Sequence, residues 1–211
     1  MVPNAKVCML EVLLIRPGAT TFDEEGRIKG ALDIPLSPKG IQQAEVAAKS
    51  FGGMKLDCLY AAPCESAQDT ARYIVRRTGW KQKTLECLLN VDHGLWQGKL
   101  VEEVRRLQPR VYRQFQENPE SVCPPGGETL SAANARVENV LDKLKRKHQG
   151  HRIGLVVPEP MASIVRCHFL GGTIEDMWKS ETDAGTWDLL VVDPVPETAR
   201  VANRSGAVAF T

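Results

Sequence analysis

No apolar run in the 211 residues approaches the ~18 that a membrane-crossing helix needs, so no membrane association is expected. The stretch from Met1 to Leu14 lacks a basic segment followed by a long apolar one, and no signal peptide is expected. Charge of one sign is not in excess: 27 Lys and Arg face 26 Asp and Glu, a formal charge of +1. That balance removes the electrostatic reason for nucleic acid as a partner. The six cysteines (Cys8, Cys58, Cys64, Cys87, Cys123 and Cys167) form no C-x-x-C pair and no metal-ligand spacing. Neither a metal nor a cofactor is expected, and buried free thiols in a reducing compartment, the cytoplasm, are the ordinary reading. Repeats and low-complexity tracts are missing too. What remains, 43% hydrophobic and 25% charged residues, is the composition of a soluble globular protein, read as one domain over 1–211.

Apolar periodicity divides that domain into alternating strands and helices. Met9–Ile15, Asp57–Ala61, Ile153–Val157 and Thr186–Val192 are short runs of the kind found in buried strands. Ser37-Pro38 opens a helix, with Ser as cap and Pro at the first helical position, and Gly52-Gly53 ends it. Ala67, Ala71, Ile74 and Val75 give a second helix its stripe, closed near Gly79. From Leu100 to Phe115 the stripe is interrupted at Pro109, which predicts two short helices or a kinked one. Pro124 to Gly127 is a loop, Leu130 to Leu144 a long helix with a basic end at Lys143–His148, and Met161–Leu170 a further helix. The order implies a three-layer α/β/α sandwich around a mostly parallel sheet. Residues 193–211 are expected to form a peripheral tail or hairpin.

Open sheets of this kind place their sites at the carboxyl ends of the strands. There the first strand runs into Arg16-Pro17-Gly18-Ala19-Thr20, which resembles the R-H-G-x-T motif of the histidine phosphatase superfamily, phosphoglycerate mutase-like branch. Gly26-Arg27, Gly30, Asp33, Pro35-Leu36-Ser37, Gly40 and Gln43-Ala44 continue the match at the family's spacing. Pro63 with Thr70-Ala71, Gly94-x-Trp96-x-Gly98 and Pro125-Gly126-Gly127-Glu128 extend it, so that it spans about 10–192. The resemblance implies a phosphoglycerate mutase-like fold. It also implies a reaction in which a histidine attacks phosphorus, two arginines and a second histidine hold the phosphoryl oxygens, and a carboxylic acid protonates the leaving oxygen.

Residue by residue, only one of those five groups is in place. Arg16 matches the first arginine. Pro17 stands where the nucleophile belongs, and its ring carries no lone pair to attack with. Ser66 stands for the second arginine, Asn90 for the acid and Glu159, in Val157-Pro158-Glu159-Pro160, for the second histidine. A phosphate-contacting asparagine becomes Asp23. Arg16 brings one positive charge to this remnant and Asp23 and Glu159 bring two negative ones, so a phosphate dianion meets net repulsion.

The sequence therefore predicts no intact catalytic set and a vestigial pocket of Arg16, Pro17, Asp23, Ser66, Asn90 and Glu159. Arg16 is expected to pair with Glu159, because a buried charge deprived of its anion needs another. His93, beside the lost acid, reads as polar loop filler rather than a relocated nucleophile. Cys64 reads as a packing residue, Trp96 as a structural loop residue, and Lys143–Lys147 as a solvated helix end. The function expected is that of a pseudoenzyme acting as a regulatory or scaffolding protein, or as the binder of a small non-phosphate ligand. The alternative is a weakly active phosphomonoesterase or mutase-like enzyme with rearranged residues. Neither the partner nor the oligomeric state is specified by the sequence.

Overall fold

A computed structural model describes residues 9–172 and 184–194. The five strands are β1 (Leu10–Ile15), β2 (Cys58–Ala61), β3 (Gln82–Thr84), β4 (Arg152–Val156) and β5 (Trp187–Val192), and they form one sheet in the order β3-β2-β4-β1-β5. All neighbours pair in parallel except β5, which lies antiparallel to β1 at one edge, with Leu14 opposite Asp188. The central strands β1, β2 and β4 are almost wholly buried, as apolar runs covered on both faces must be.

Helices α2 (Pro38–Ser50) and α3 (Glu65–Thr78) pack together, with α3 against β2, β3 and β4. Helices α6 (Leu130–Lys147) and α7 (Met161–Leu170) form a second pair, with α7 against β1 and β5. Alternation along β5 separates the two layers: Trp187 meets Phe51 at the end of α2, ring centroids 5.4 Å apart, while Asp188 faces Arg166 of α7. This is the three-layer arrangement with a mostly parallel sheet.

Pro109 acts as a divider, as its chemistry requires. It is the first residue of α5 (Pro109–Glu117), and α4 (Val101–Leu107) ends before it. Trp96, Val104, Phe115 and Val122 make a small separate core beneath these helices. Two elements differ from the sequence expectation. β3 is a polar edge strand with no apolar pattern to announce it, and α1 (Thr21–Glu25) is a single turn closed by a capping box between Thr20 and Asp23. The expected tail lies outside the described residues from 195 onward, as does Cys8. The other five cysteines are free thiols. Among the described residues no helix is long and apolar enough to cross a membrane, and no group of three or more His, Cys, Asp or Glu is placed to hold a metal ion.

The loop after β1 is tied to α2 by a contact that only glycine permits. A Cβ on Gly40 would overlap the carbonyl of Ala19, and one on Gly18 would overlap the carbonyl of Gly40. Gly40→Ala is expected to destabilise the fold by about 1–3 kcal/mol through forced separation of the two segments. A change in the urea midpoint, at constant m-value, measures it.

Candidate functional site

The carboxyl end of β1 delivers Arg16-Pro17-Gly18 into a loop held from several sides. Gly18 N donates to Thr70 Oγ1 of α3 at 3.1 Å, Ala19 N donates to Gln43 Oε1 of α2 at 2.8 Å, and Ser37 N donates to Ala19 O at 2.9 Å. Each of these anchors is a residue of the pattern found in the sequence. The backbone of the loop is thus built by residues that take no part in the family's chemistry.

Arg16 itself is buried, its side chain 4% exposed, and its charge is fully engaged. Nε donates to Glu159 Oε1 at 2.8 Å and Nη1 to Asp188 Oδ2 at 2.9 Å. Burial opposes this charge, but hydrogen bonds and attraction from Glu159 and Asp188 outweigh it and raise the guanidinium pKa above its ordinary value. The pair expected between Arg16 and Glu159 is present. The second carboxylate, Asp188, was not foreseen. It also accepts from Arg166 Nη1 at 3.4 Å.

Glu159 is set by its own turn. Its Oε2 accepts from Ser163 Oγ at 2.7 Å and Ser163 N at 3.1 Å, at the start of α7, where a carboxylate suits the positive helix pole. Asn90 braces the backbone below it. Nδ2 donates to Gly30 O at 3.0 Å and Glu159 O at 2.8 Å, and Oδ1 accepts from Met161 N at 3.3 Å. An amide can both donate and accept in this way, whereas an ionised carboxylate only accepts. Asn90 is therefore a clamp on the Glu159 loop.

Asp23 closes the other side. Its carboxylate caps Thr20 N and Oγ1, each at 2.7 Å, and binds Lys29 Nζ at 2.9 Å. Burial opposes the negative charge, but Lys29 and the Thr20 hydrogen bonds prevail and hold the carboxyl below its usual range. Arg16, Pro17, Asp23, Lys29, Pro158 and Glu159 enclose a space of about 80 Å³. Ser66 is buried in the first turn of α3, its hydroxyl 3.7 Å from Cys64 Sγ, and it lines neither this space nor the larger one beside it.

That larger cavity, about 330 Å³, shares Asp23, Lys29 and Glu159 with the small space and rises between the walls of Trp96, Tyr112 and Phe115. His93 lines it too, and here the expectation of loop filler needs correction. The ring is 6% exposed and meets Phe115 edge-on, centroids 5.8 Å apart. Its Nδ1 is buried with no hydrogen-bond partner among the described residues. Burial pushes its pKa down to about 4, only partly offset by Asp92, so the imidazole is neutral at physiological pH.

A family model for the histidine phosphatase superfamily (branch 1) matches residues 12–204. The chain belongs to that superfamily. Among curated relatives, a phosphoserine phosphatase of Hydrogenobacter thermophilus is 28% identical over 182 residues, covering 86% of each chain. An adenosylcobalamin/alpha-ribazole phosphatase of Escherichia coli is 24% identical over 194 residues, 92% of this chain and 96% of its own. Among solved structures, a phosphoserine phosphatase of Entamoeba histolytica superposes with a TM-score of 0.77 at 23% identity, covering 89% of this chain and 94% of its own. At that identity the superposition speaks for the fold. These activities belong to the relatives.

Two outcomes test the electrostatics. Glu159→Gln or Asp188→Asn alone leaves Arg16 one carboxylate, at an expected cost of about 1 kcal/mol each, since both acids are partly solvated. The double variant strands a buried cation, and its cost should exceed the sum by about 1–2 kcal/mol in urea unfolding. Strict additivity would show that Arg16 does not depend on the two together.

The second outcome concerns His93. As pH falls below about 6.5 the unfolded chain takes up a proton that the folded imidazole resists until about pH 4. Its contribution to stability is therefore complete above about pH 6.5 and is lost as the pH falls toward 4, with a slope of at most about 1.4 kcal/mol per pH unit. His93→Phe should flatten the stability curve in that window. An unchanged slope would place the buried histidine elsewhere.

Proposed function

We propose that this chain is a non-catalytic member of its superfamily, a pseudoenzyme that keeps the fold to bind a protein partner or a small non-phosphate ligand. The observation that supports this most is the state of Arg16. A phosphatase arginine must present N–H donors to the phosphoryl oxygens, and here two of the guanidinium nitrogens are committed to Glu159 and Asp188 at 2.8 and 2.9 Å. A phosphate dianion would have to displace a carboxylate from a buried cation and then sit beside it.

Pro17 supports the same reading from the covalent side. It lies against the small space beneath Arg16, where the family's motif puts its nucleophile, and it has no atom that could carry a phosphoryl group. The amide of Asn90 lacks a proton acidic enough to assist a leaving alkoxide and is occupied with backbone groups. Retained scaffold with lost chemistry leaves binding as the property that the fold can still offer.

The test is turnover. Untouched protein given p-nitrophenyl phosphate or 3-phosphoglycerate should release no product above background, and Pro17→His alone should not restore release, because the second clamp and the acid remain missing. Product formation that scales with protein and vanishes in Arg16→Ala would overturn the proposal and favour the weakly active alternative.

A further inference from the structure

The larger cavity has a chemistry of its own. Each charged side chain at its wall already has its counter-charge. Arg27 Nε binds Glu25 Oε2 at 2.5 Å, Lys29 binds Asp23, and Glu159 binds Arg16. An ionic ligand would have to compete with these pairs and add an uncompensated charge in a partly desolvated space. A neutral one would leave them intact.

The rest of the wall favours a flat apolar body. Trp96 and Phe115 pack edge to face with centroids 5.4 Å apart and back the wall, and Tyr112, Ile28, Val101 and Pro160 add apolar surface to it. At about 330 Å³ the volume lies at the small end of the range used for small-molecule sites. One polar function remains unanswered. Among the described residues, Nδ1 of His93 is the one buried side-chain nitrogen or oxygen without a hydrogen-bond partner. Native interiors rarely leave such an atom alone, because the lost bond to water costs about 1–3 kcal/mol. A neutral imidazole offers one N–H and one bare nitrogen, so it can meet either a hydroxyl or an amide.

We infer that this cavity binds a small uncharged ring compound carrying hydroxyl or amide groups, with the ring against Tyr112, Ile28 and Val101 and a polar group bonded to His93. This rests on the non-catalytic reading of the adjoining pocket. The two fail separately, since turnover defeats that reading and the binding test below defeats this one.

Four probes sharing one ring separate the possibilities: 4-hydroxybenzamide, 4-hydroxybenzoate, tyramine and 4-hydroxyphenyl phosphate. Calorimetric titration of the full chain should show the neutral amide binding at least about tenfold more tightly than any of the charged probes. In ¹⁵N spectra the imidazole of His93 should shift on saturation. His93→Phe should weaken the amide by about tenfold, the value of one buried hydrogen bond. Should that variant fail to fold, Val101→Trp fills the cavity from its α4 wall and should abolish binding. No binding of the amide at millimolar concentration, tightest binding of the phosphate, or indifference of affinity to both variants would overturn the inference.

Discussion

A buried guanidinium between two carboxylates organises this molecule. Arg16 leaves the end of β1, Glu159 follows β4 at the head of α7, and Asp188 sits on the antiparallel edge strand β5. One side chain therefore joins three neighbouring strands at the edge where open sheets carry their sites. Its backbone adds a fourth tie, from Arg16 N to Thr186 O at 2.9 Å. In an anion-binding pocket such a cation is satisfied by the ligand. Here two protein carboxylates satisfy it, so its charge is balanced without an anion.

The parts of the family pattern that this chain keeps are mostly those that shape the loop after β1. Gly18, Ser37, Gly40, Gln43 and Thr70 shape the loop through backbone contacts, and their loss would disturb the fold whatever the chemistry. Pro17, Ser66, Asn90 and Glu159 stand where the resemblance places reacting groups, and each is accommodated by the fold around it. Asn90 bonds three backbone groups, and Glu159 takes a cation on one oxygen and the α7 terminus on the other. The residues that hold the loop and those at the positions of the reacting groups are thus different members of one motif.

Much of this was legible in the sequence. β1, β2, β4 and β5 were apolar runs, Ser37-Pro38 marked a helix start, and Pro109 marked a break; local chemistry decides each of these. The facing of Arg16 and Glu159 followed from the resemblance alone, since they lie 143 positions apart. Asp188 was hidden because a single acid in Trp187–Val192 reads as ordinary strand alternation, and only the antiparallel register sets it beside Arg16. β3 was hidden by its polarity, since Gln82-Lys83-Thr84 at a sheet edge has little to bury. His93 was misread because the ring that packs edge-on against it, Phe115, belongs to α5, and a loop flanked by glycine does not announce that contact.

The claim that carboxylates have taken the place of the phosphoryl group at Arg16 is tested most directly by calorimetric titration with orthovanadate, a mimic of phosphoryl in transfer. Unmodified protein should give no saturable heat, whereas Glu159→Gln with Asp188→Asn, which uncovers the guanidinium, should gain weak binding. Saturable binding by the unmodified protein that disappears in Arg16→Ala would contradict the claim.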